Sequence, residues 1–154
     1  MPHRIRLRKP WTRHDRLCTD TNETSCSRQV DVPDTGDPDT GDPEKRSVAS
    51  SDAVHRADYC RRFNRPSGLH AGERVELEVG AVSGRLDDVR INSRSIFNDG
   101  ESTRVHDEKG RESVRFDLTD RLADHNELEI RLLCDGEAPR LVGAVNLWIL
   151  DDRS

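Results

Sequence analysis

The sequence predicts an all-β protein folded as an antiparallel β-sandwich. Short runs in which apolar and charged side chains alternate recur along the chain, and residues that favour turns separate them. Only 32% of the residues are hydrophobic, whereas 36% are charged, which suits strands with one wet face and not a helical bundle. A length of 154 residues fits one domain, so we predict a single sandwich over 1–154.

The first half of the chain contains four segments with this alternation. In the third segment, Tyr59, Arg61 and Phe63 fall on one face. In the fourth, valine and leucine occupy one side and two glutamates the other. Because successive side chains of a strand point to opposite faces, each segment has one side suited to a core. The four segments are HRIRLRK (3–9), RQVDVP (28–33), HRADYCRRF (55–63) and RVELEV (74–79).

The second half contains four more candidate strands. The last is apolar on both faces, so we expect it to lie inside a sheet or under cover. The four segments are RLDDVRINSRSI (85–96), SVRFDL (113–118), ELEIRLL (127–133) and LVGAVNLWIL (141–150).

A long acidic segment rich in Pro and Gly separates the second and third segments, and we predict a surface loop at about 33–53. Its carboxylates Asp34, Asp37, Asp39 and Asp42 offer an alternative interpretation as calcium ligands. Their spacing does not match the EF-hand loop, and acidic Pro/Gly loops are commonly just mobile. We therefore predict no metal and no cofactor.

Charge and cysteine usage narrow the class of protein. The net charge is -5 with both signs interspersed, so we expect no nucleic-acid partner. No stretch has the apolar length of a signal peptide or a membrane span, so we expect a cytoplasmic protein with no membrane partner and reduced thiols. A zinc site from His14, Cys18, Cys26 and Cys60 is disfavoured, because paired Cys-x-x-Cys spacing is missing.

Six short motifs, in order, resemble the N-terminal sugar-binding domain of family 2 glycoside hydrolases, the β-galactosidase and β-glucuronidase group. In DYCRRFNRP, the residues Tyr59, Arg61, Arg62, Phe63 and Pro66 correspond in order, and the specificity lies in the ordered set of motifs. The resemblance implies a galactose-binding-domain-like jelly roll over almost the whole chain. The six motifs are IRLRKPW, VDVP, DYCRRFNRP, DDVRINSRSI, FDLTDRL and HNELEIRL.

The resemblance also explains the polar knot at 117–120. In the related domains it is a corner between two strands with a short helical turn. Thr119 or Asp120 is then expected to bond freed backbone amides, while Leu118 and Leu122 pack on the core. Asp117 and Asp120 are thereby interpreted as structural and not as a catalytic pair.

Differences from the family motifs weaken the expectation that this chain binds a sugar. The hairpin glycine is replaced by Ser93 and its tryptophan by Arg90. Family members carry their two catalytic glutamates on a barrel that follows this domain, so we expect no enzymatic activity of this chain. The candidate ligand contacts are Asn92, Phe97, Asp135, Glu137 and Arg140.

Two hypotheses of function remain open at this stage. One is a non-catalytic carbohydrate-binding module, and the other is an interaction or scaffold domain that docks a protein partner or a second copy of the chain. A third alternative is an orphaned piece of a larger hydrolase. An aromatic side chain exposed beside a polar hollow would favour the sugar hypothesis. Phe97, Trp148 and Trp11 are the candidates, since Tyr59, Phe63 and Phe116 are expected in the core.

Overall fold

The computed structural model describes residues 3–18, 23–34, 54–69, 72–97, 102–106, 110–135 and 138–151. Within these ranges the secondary structure is β-strand without helix, which confirms the predicted fold class. The strands are β1 His3–Arg6, β2 Trp11–Cys18, β3 Glu23–Val30, β4 Val54–Asn64, β5 Glu73–Val79, β6 Val82–Ser83, β7 Arg85–Ile91, β8 Arg94–Ser95, β9 Thr103–His106, β10 Glu112–Asp117, β11 His125–Asp135, β12 Arg140–Leu141 and β13 Val145–Asp151.

The strands form two main sheets that face each other across one core. The first sheet, sheet A, has the order β1-β13-β5-β10-β9, and the second, sheet B, has the order β3-β2-β4-β11-β7-β8. A short ribbon pairs β12 with β6. The pairings in both sheets are antiparallel. The apolar strand at the C-terminus, β13, lies between β1 and β5, inside its sheet as predicted.

The core consists of the inward side chains of both sheets. Tyr59, Phe63 and Phe116 are all buried, as the alternation predicts. They pack with aliphatic neighbours such as Leu77 and Ile130 in one continuous cluster. Removing each such side chain from water stabilises the fold by roughly 1.5–3 kcal/mol, and this holds the two sheets together.

The sequence did not predict β2, and the structure shows why. Trp11, Arg13 and Asp15 alternate toward the interior, so two of the three inward positions are charged. Arg13 is only 1% exposed, because its charge is matched by carboxylates inside the sandwich. A pattern search for apolar alternation therefore passes over this strand.

The predicted strand 141–150 is interrupted after Leu141. Val142 and Gly143 both donate backbone hydrogen bonds to the carbonyl of Ala81. A Cβ on Gly143 would collide with the backbone at Gly80 and Ala81. This close approach requires glycine and divides the segment into β12 and β13.

The corner at 117–122 exists, and Thr119 accepts from a backbone amide as expected, while the Asp117 carboxylate is a further acceptor. The Asp117 carboxylate accepts from the Thr119 amide at 2.9 Å and from the Thr119 hydroxyl at 2.6 Å. Thr119 Oγ1 in turn accepts from the Val75 amide at 3.1 Å. Asp120 is exposed, and residues 119–121 form a turn in which the Arg121 amide donates to the Leu118 carbonyl at 2.9 Å. Leu118 is fully buried and Leu122 packs against the core, as predicted.

Several expectations fall on parts of the chain that the structure leaves undescribed. The acidic loop is outside the described residues from 35 to 53, and Asp37, Asp39 and Asp42 lie there.

Cys26, Cys60 and Cys134 are free thiols. Among the described residues, no helix is long and apolar enough to cross a membrane.

Candidate functional site

The outer face of sheet B forms an open polar hollow of about 820 Å³. Alternation places the outward side chains of β2, β3, β4 and β11 side by side, because these four strands are neighbours in the sheet. The described lining contains five arginines and three carboxylates, with Thr, Ser, His and Gln between them. In an acidic chain, this hollow is therefore locally basic. It is lined by Pro10, Thr12, His14, Arg16, Ser25, Cys26, Ser27, Gln29, Arg56, Asp58, Cys60, Arg61, Arg62, Glu127, Glu129 and Arg131.

Asp58 is the centre of the charge pairing in this hollow. Arg56 donates to its Oδ2 at 2.9 Å from the same strand, and Arg131 donates to its Oδ1 at 3.0 Å from β11. Both carboxylate oxygens are thus occupied by guanidinium groups. The pairing holds the planar donors in fixed positions on the sheet surface.

A second aspartate–arginine pair, on β7, extends the charged surface around Asp58. Asp88 accepts from Ser95 at 2.6 Å and from Arg90 at 2.8 Å. Burial acts to raise the pKa of Asp88, but the hydrogen bonds from Ser95 and Arg90 outweigh it and lower the pKa. Asp88 is therefore a stable anion at neutral pH.

Cys60 faces the hollow but is a poor nucleophile. Burial, with the nearby charges of Glu129 and Asp58, raises the pKa of its thiol to about 11. A thiol with that pKa is almost entirely protonated at neutral pH. His14 lies across the sheet, where its Nδ1 is 2.5 Å from the Ser27 hydroxyl, and it has no contact with Cys60 among the hydrogen bonds of the described residues.

A buried polar network supports this face from the interior. The Arg13 guanidinium donates to Asp34 at 2.8 Å and to the Tyr59 hydroxyl at 2.7 Å, while Tyr59 donates to the same Asp34 oxygen at 2.7 Å. The Leu141 amide donates to the Tyr59 hydroxyl at 3.2 Å. Burial raises the pKa of Tyr59, so the phenol stays protonated and can donate. The network ties β2 and β4 to β12 under the hollow.

The structure does not bring together the four sequence-predicted contacts that it describes. Asn92, at the β7–β8 turn, has φ of 51° and uses its side chain to bond Asn126 and the Glu127 amide. Asp135 is exposed at the far end of β11, roughly 26 Å along the strand from Glu127. Asn92 therefore lies at the opposite end of the sandwich from Asp135.

Of the other three predicted contacts, Phe97 and Arg140 also lie apart from the hollow. Phe97 packs against the core, with its ring centroid 6.4 Å from that of Phe116. Arg140 is in β12, where its amide donates to Ser83 Oγ at 3.0 Å. Glu137 is outside the described residues.

The two tryptophans do not face the polar hollow either. Trp11 is completely buried, and its indole N–H donates to the Leu7 carbonyl at 3.0 Å. Trp148 is on the outer face of sheet A, partly buried, with the Arg115 guanidinium 4.6 Å from its ring centroid. Its indole N–H donates to Glu78 at 3.1 Å. The described part of the polar hollow thus contains no aromatic side chain.

A smaller hollow of about 370 Å³ opens at the edge of the sandwich, beside β1. It is mostly apolar, with Phe63 among its walls, and it shares Arg61 and Arg62 with the polar hollow. The two hollows therefore meet at this pair of arginines. The lining consists of Ile5, Leu7, Arg61, Arg62, Phe63, Asn64, Pro66 and Leu147.

The described residues contain no cluster of three or more metal-ligating side chains. Asp34, the one described member of the calcium alternative, uses its carboxylate to bond Arg13 and Tyr59. Of the disfavoured zinc set, His14, Cys26 and Cys60 line the polar hollow, and the side chain of Cys18 is not described.

The fold matches solved structures of two glycoside hydrolases. An FMN-binding β-glucuronidase from Facaelibacterium prausnitzii aligns over 98% of this chain with a TM-score of 0.62 and 23% identity. A β-glucuronidase from an uncultured Clostridium aligns over 97% with a TM-score of 0.58 and 16% identity. The chain has the fold of one part of a β-glucuronidase. It spans 23% and 29% of those two chains.

The likeness rests on structure alone. No protein-family model and no curated protein matches the chain. At 23% and 16% identity the likeness establishes the sandwich fold, as the motifs predicted, and does not by itself assign a ligand.

Proposed function

We propose that this protein is a non-catalytic carbohydrate-binding module whose ligand binds in the polar hollow on sheet B. The observation that carries the proposal is the lining of the hollow. Guanidinium, carboxylate, amide and hydroxyl groups lie within one open volume of about 820 Å³. These planar donors and acceptors match the hydroxyl groups of a sugar. The fold shared with parts of two β-glucuronidases supports the proposal.

The composition of the hollow favours a saccharide over a protein partner. Centres of protein interfaces are depleted in charged residues and enriched in aromatic side chains and methionine. The described lining has the opposite composition, since it is rich in charge and holds no aromatic ring. Without a stacking platform, recognition would rest on hydrogen bonds, which implies weak binding of a single sugar unit.

The arrangement of carboxylates supports a binding role without catalysis. Glycoside hydrolysis uses two carboxyl groups that flank the scissile bond at fixed separation. Both oxygens of Asp58 already accept from Arg56 and Arg131. Glu127 is 3.7 Å from Arg62 on the exposed surface. We therefore expect no hydrolysis of nitrophenyl glycosides by the purified chain.

Calorimetric titration with a panel of oligosaccharides tests the proposal. Glu129→Gln, inside the hollow, should weaken binding of the best saccharide roughly tenfold, since a hydrogen bond to a charged group contributes roughly 1.5–3 kcal/mol. Glu112→Gln, on β10 of sheet A and 57% exposed, is the matched control and should bind like the wild type. Binding to no saccharide at millimolar concentration would refute the proposal.

A protein-docking role is the second candidate, and the outer face of sheet A favours it. There Trp148 is partly exposed between the guanidinium groups of Arg4, at 5.6 Å, and Arg115, at 4.6 Å. Tryptophan and arginine are the residue types that dominate the energetics of protein interfaces. Light scattering at increasing concentration tests this role. A dimer that Trp148→Ala dissociates would support it, and a strict monomer would count against self-association.

A further inference from the structure

Arg61 is a half-buried arginine of β4, and two of its donor nitrogens lack a hydrogen-bonding partner among the described residues. It follows Tyr59 and precedes Phe63 on the inward face of β4, so alternation directs it between the sheets. Its Nε and Nη1 atoms are buried, and neither meets an acceptor. The guanidinium lies over the Trp11 ring, with the ring centroid 6.0 Å from the guanidinium carbon. Burial lowers the pKa of Arg61, because no anion among the described residues offsets the loss of hydration of its charge.

Arg13 shows how this fold can match the donors of an inward guanidinium, whereas Arg28 Nε is, like the two Arg61 nitrogens, buried without a partner among the described residues. Arg13 is also inside the sandwich, yet Asp15, Asp34 and Tyr59 occupy its donors at 2.7–3.0 Å. The fold therefore surrounds a structural guanidinium with acceptors. Arg61 has no such surroundings, and leaving buried donors unmatched is unfavourable. An acceptor from outside the described chain would remove that penalty.

The position of Arg61 shows where such an acceptor would enter. Arg61 and Arg62 line both the polar hollow and the smaller apolar one. Arg62 is 88% exposed, and its contact with Glu127 at 3.7 Å is long. The junction of the two hollows therefore holds two guanidinium groups with little neutralisation. Beyond it, Phe63 and Pro66 offer an apolar wall, and Asn64 offers an amide.

We propose that this junction is a carboxylate subsite, and that the ligand of the module is an acidic oligosaccharide. The carboxylate of one sugar unit binds Arg61 and Arg62, and the C–H face of the neighbouring unit packs on Phe63 and Pro66. This inference rests on the proposed function and specifies its ligand class. A planar carboxylate matches the fork of donors that a guanidinium presents.

The surroundings favour a sugar acid over an acidic peptide. The described lining of the polar hollow is mostly polar and charged, which suits a polyhydroxylated chain better than the apolar side chains of an extended peptide. The apolar hollow, at about 370 Å³, has room for a single ring.

Calorimetry with trigalacturonate and its methyl ester provides the test, because the two probes differ only in whether the carboxylates are free. The wild type should bind the acid roughly tenfold or more tightly than the ester. Arg61→Met should remove this preference while keeping the bulk of the side chain. Arg104→Met is the matched control, since Arg104 is 81% exposed on β9 of the other sheet, and it should keep the preference.

A second readout separates a ligand role from a structural one. Because Arg61→Met removes unmatched buried donors, its thermal midpoint should equal or exceed that of the wild type. A structural arginine would give the reverse. If this variant fails to fold, the assignment of Arg61 as a ligand contact is contradicted. The exposed Arg62→Gln variant still tests the subsite, since it should lower the preference for the acid.

Each remaining outcome is decisive. Equal binding of acid and ester by the wild type overturns the carboxylate subsite and leaves the proposed carbohydrate function standing. Binding of neither these probes nor any neutral saccharide overturns both. Retention of the acid preference in Arg61→Met overturns the assignment to Arg61. Tighter binding of a hexaglutamate peptide than of trigalacturonate overturns the saccharide in favour of protein docking.

Discussion

At the scale of the residue, two arginines on the inward faces of sheet B have opposite surroundings. The donors of Arg13 meet acceptors from two aspartates and a tyrosine, whereas the buried donors of Arg61 meet none among the described residues. The sequence correctly placed Arg61 on the face of Tyr59 and Phe63. The sequence does not indicate which inward arginine has acceptors for its donors, because Asp34, which binds Arg13, is 21 positions away in the chain.

The buried network predicts a large effect of one carboxylate on stability. Asp34→Ala removes the acceptor shared by Arg13 and Tyr59 and should lower the free energy of unfolding by about 3 kcal/mol. Asp31→Ala is the matched control, since Asp31 is exposed three positions earlier and should change stability by less than about 0.5 kcal/mol. Urea denaturation measures both. A loss below about 1 kcal/mol for Asp34→Ala would contradict the structural role of the network.

At the scale of the element, the sequence predicted strands where the inward residues are apolar and missed them elsewhere. β4, β5, β10 and β11 follow the period-two pattern and were placed within two residues of their ends. β2 was missed because Arg13 and Asp15 occupy inward positions. β9 was missed because a four-residue edge strand with one half-buried side chain carries too short a pattern.

The corner after β10 gives a matched pair of variants. Asp117→Ala removes the acceptor for the Thr119 amide and hydroxyl and should cost about 1 kcal/mol of stability. Asp120→Ala should be close to neutral, because Asp120 is exposed. The shift in the urea midpoint of each variant measures the difference. Equal losses would show that Asp120 also supports the turn.

At the scale of the whole molecule, the fold was predictable and the candidate site was not. Six ordered motifs were enough to predict the sandwich, but they directed attention to loop residues such as Asn92 and Asp135, which lie at opposite ends of β11. The polar hollow is assembled from side chains 12 to 131 on four strands. Apart from Pro10, Cys26 and the inward Arg61, each of these residues is an ordinary outward position in its own segment. Their convergence follows from the strand order β3-β2-β4-β11, which a single sequence does not specify.

That assembly also explains why the aromatic criterion failed to locate the site. Trp11 is sealed in the core and Trp148 is on the other sheet, so a polar hollow exists without a tryptophan beside it. Arginines and acidic residues recur at the outward positions of β2, β4 and β11. Once the pairing of these strands is known, this pattern indicates the polar hollow.

The central claim is that a saccharide binds on the outer face of sheet B, and amide chemical-shift mapping during titration with trigalacturonate tests it most directly. We expect the largest shifts at outward positions of β2, β4 and β11, such as His14, Asp58 and Glu129, and at Arg61 and Arg62. Shifts confined to the sandwich end near Arg140 or to the hairpin at Asn92, or no shifts at millimolar ligand, would contradict the claim.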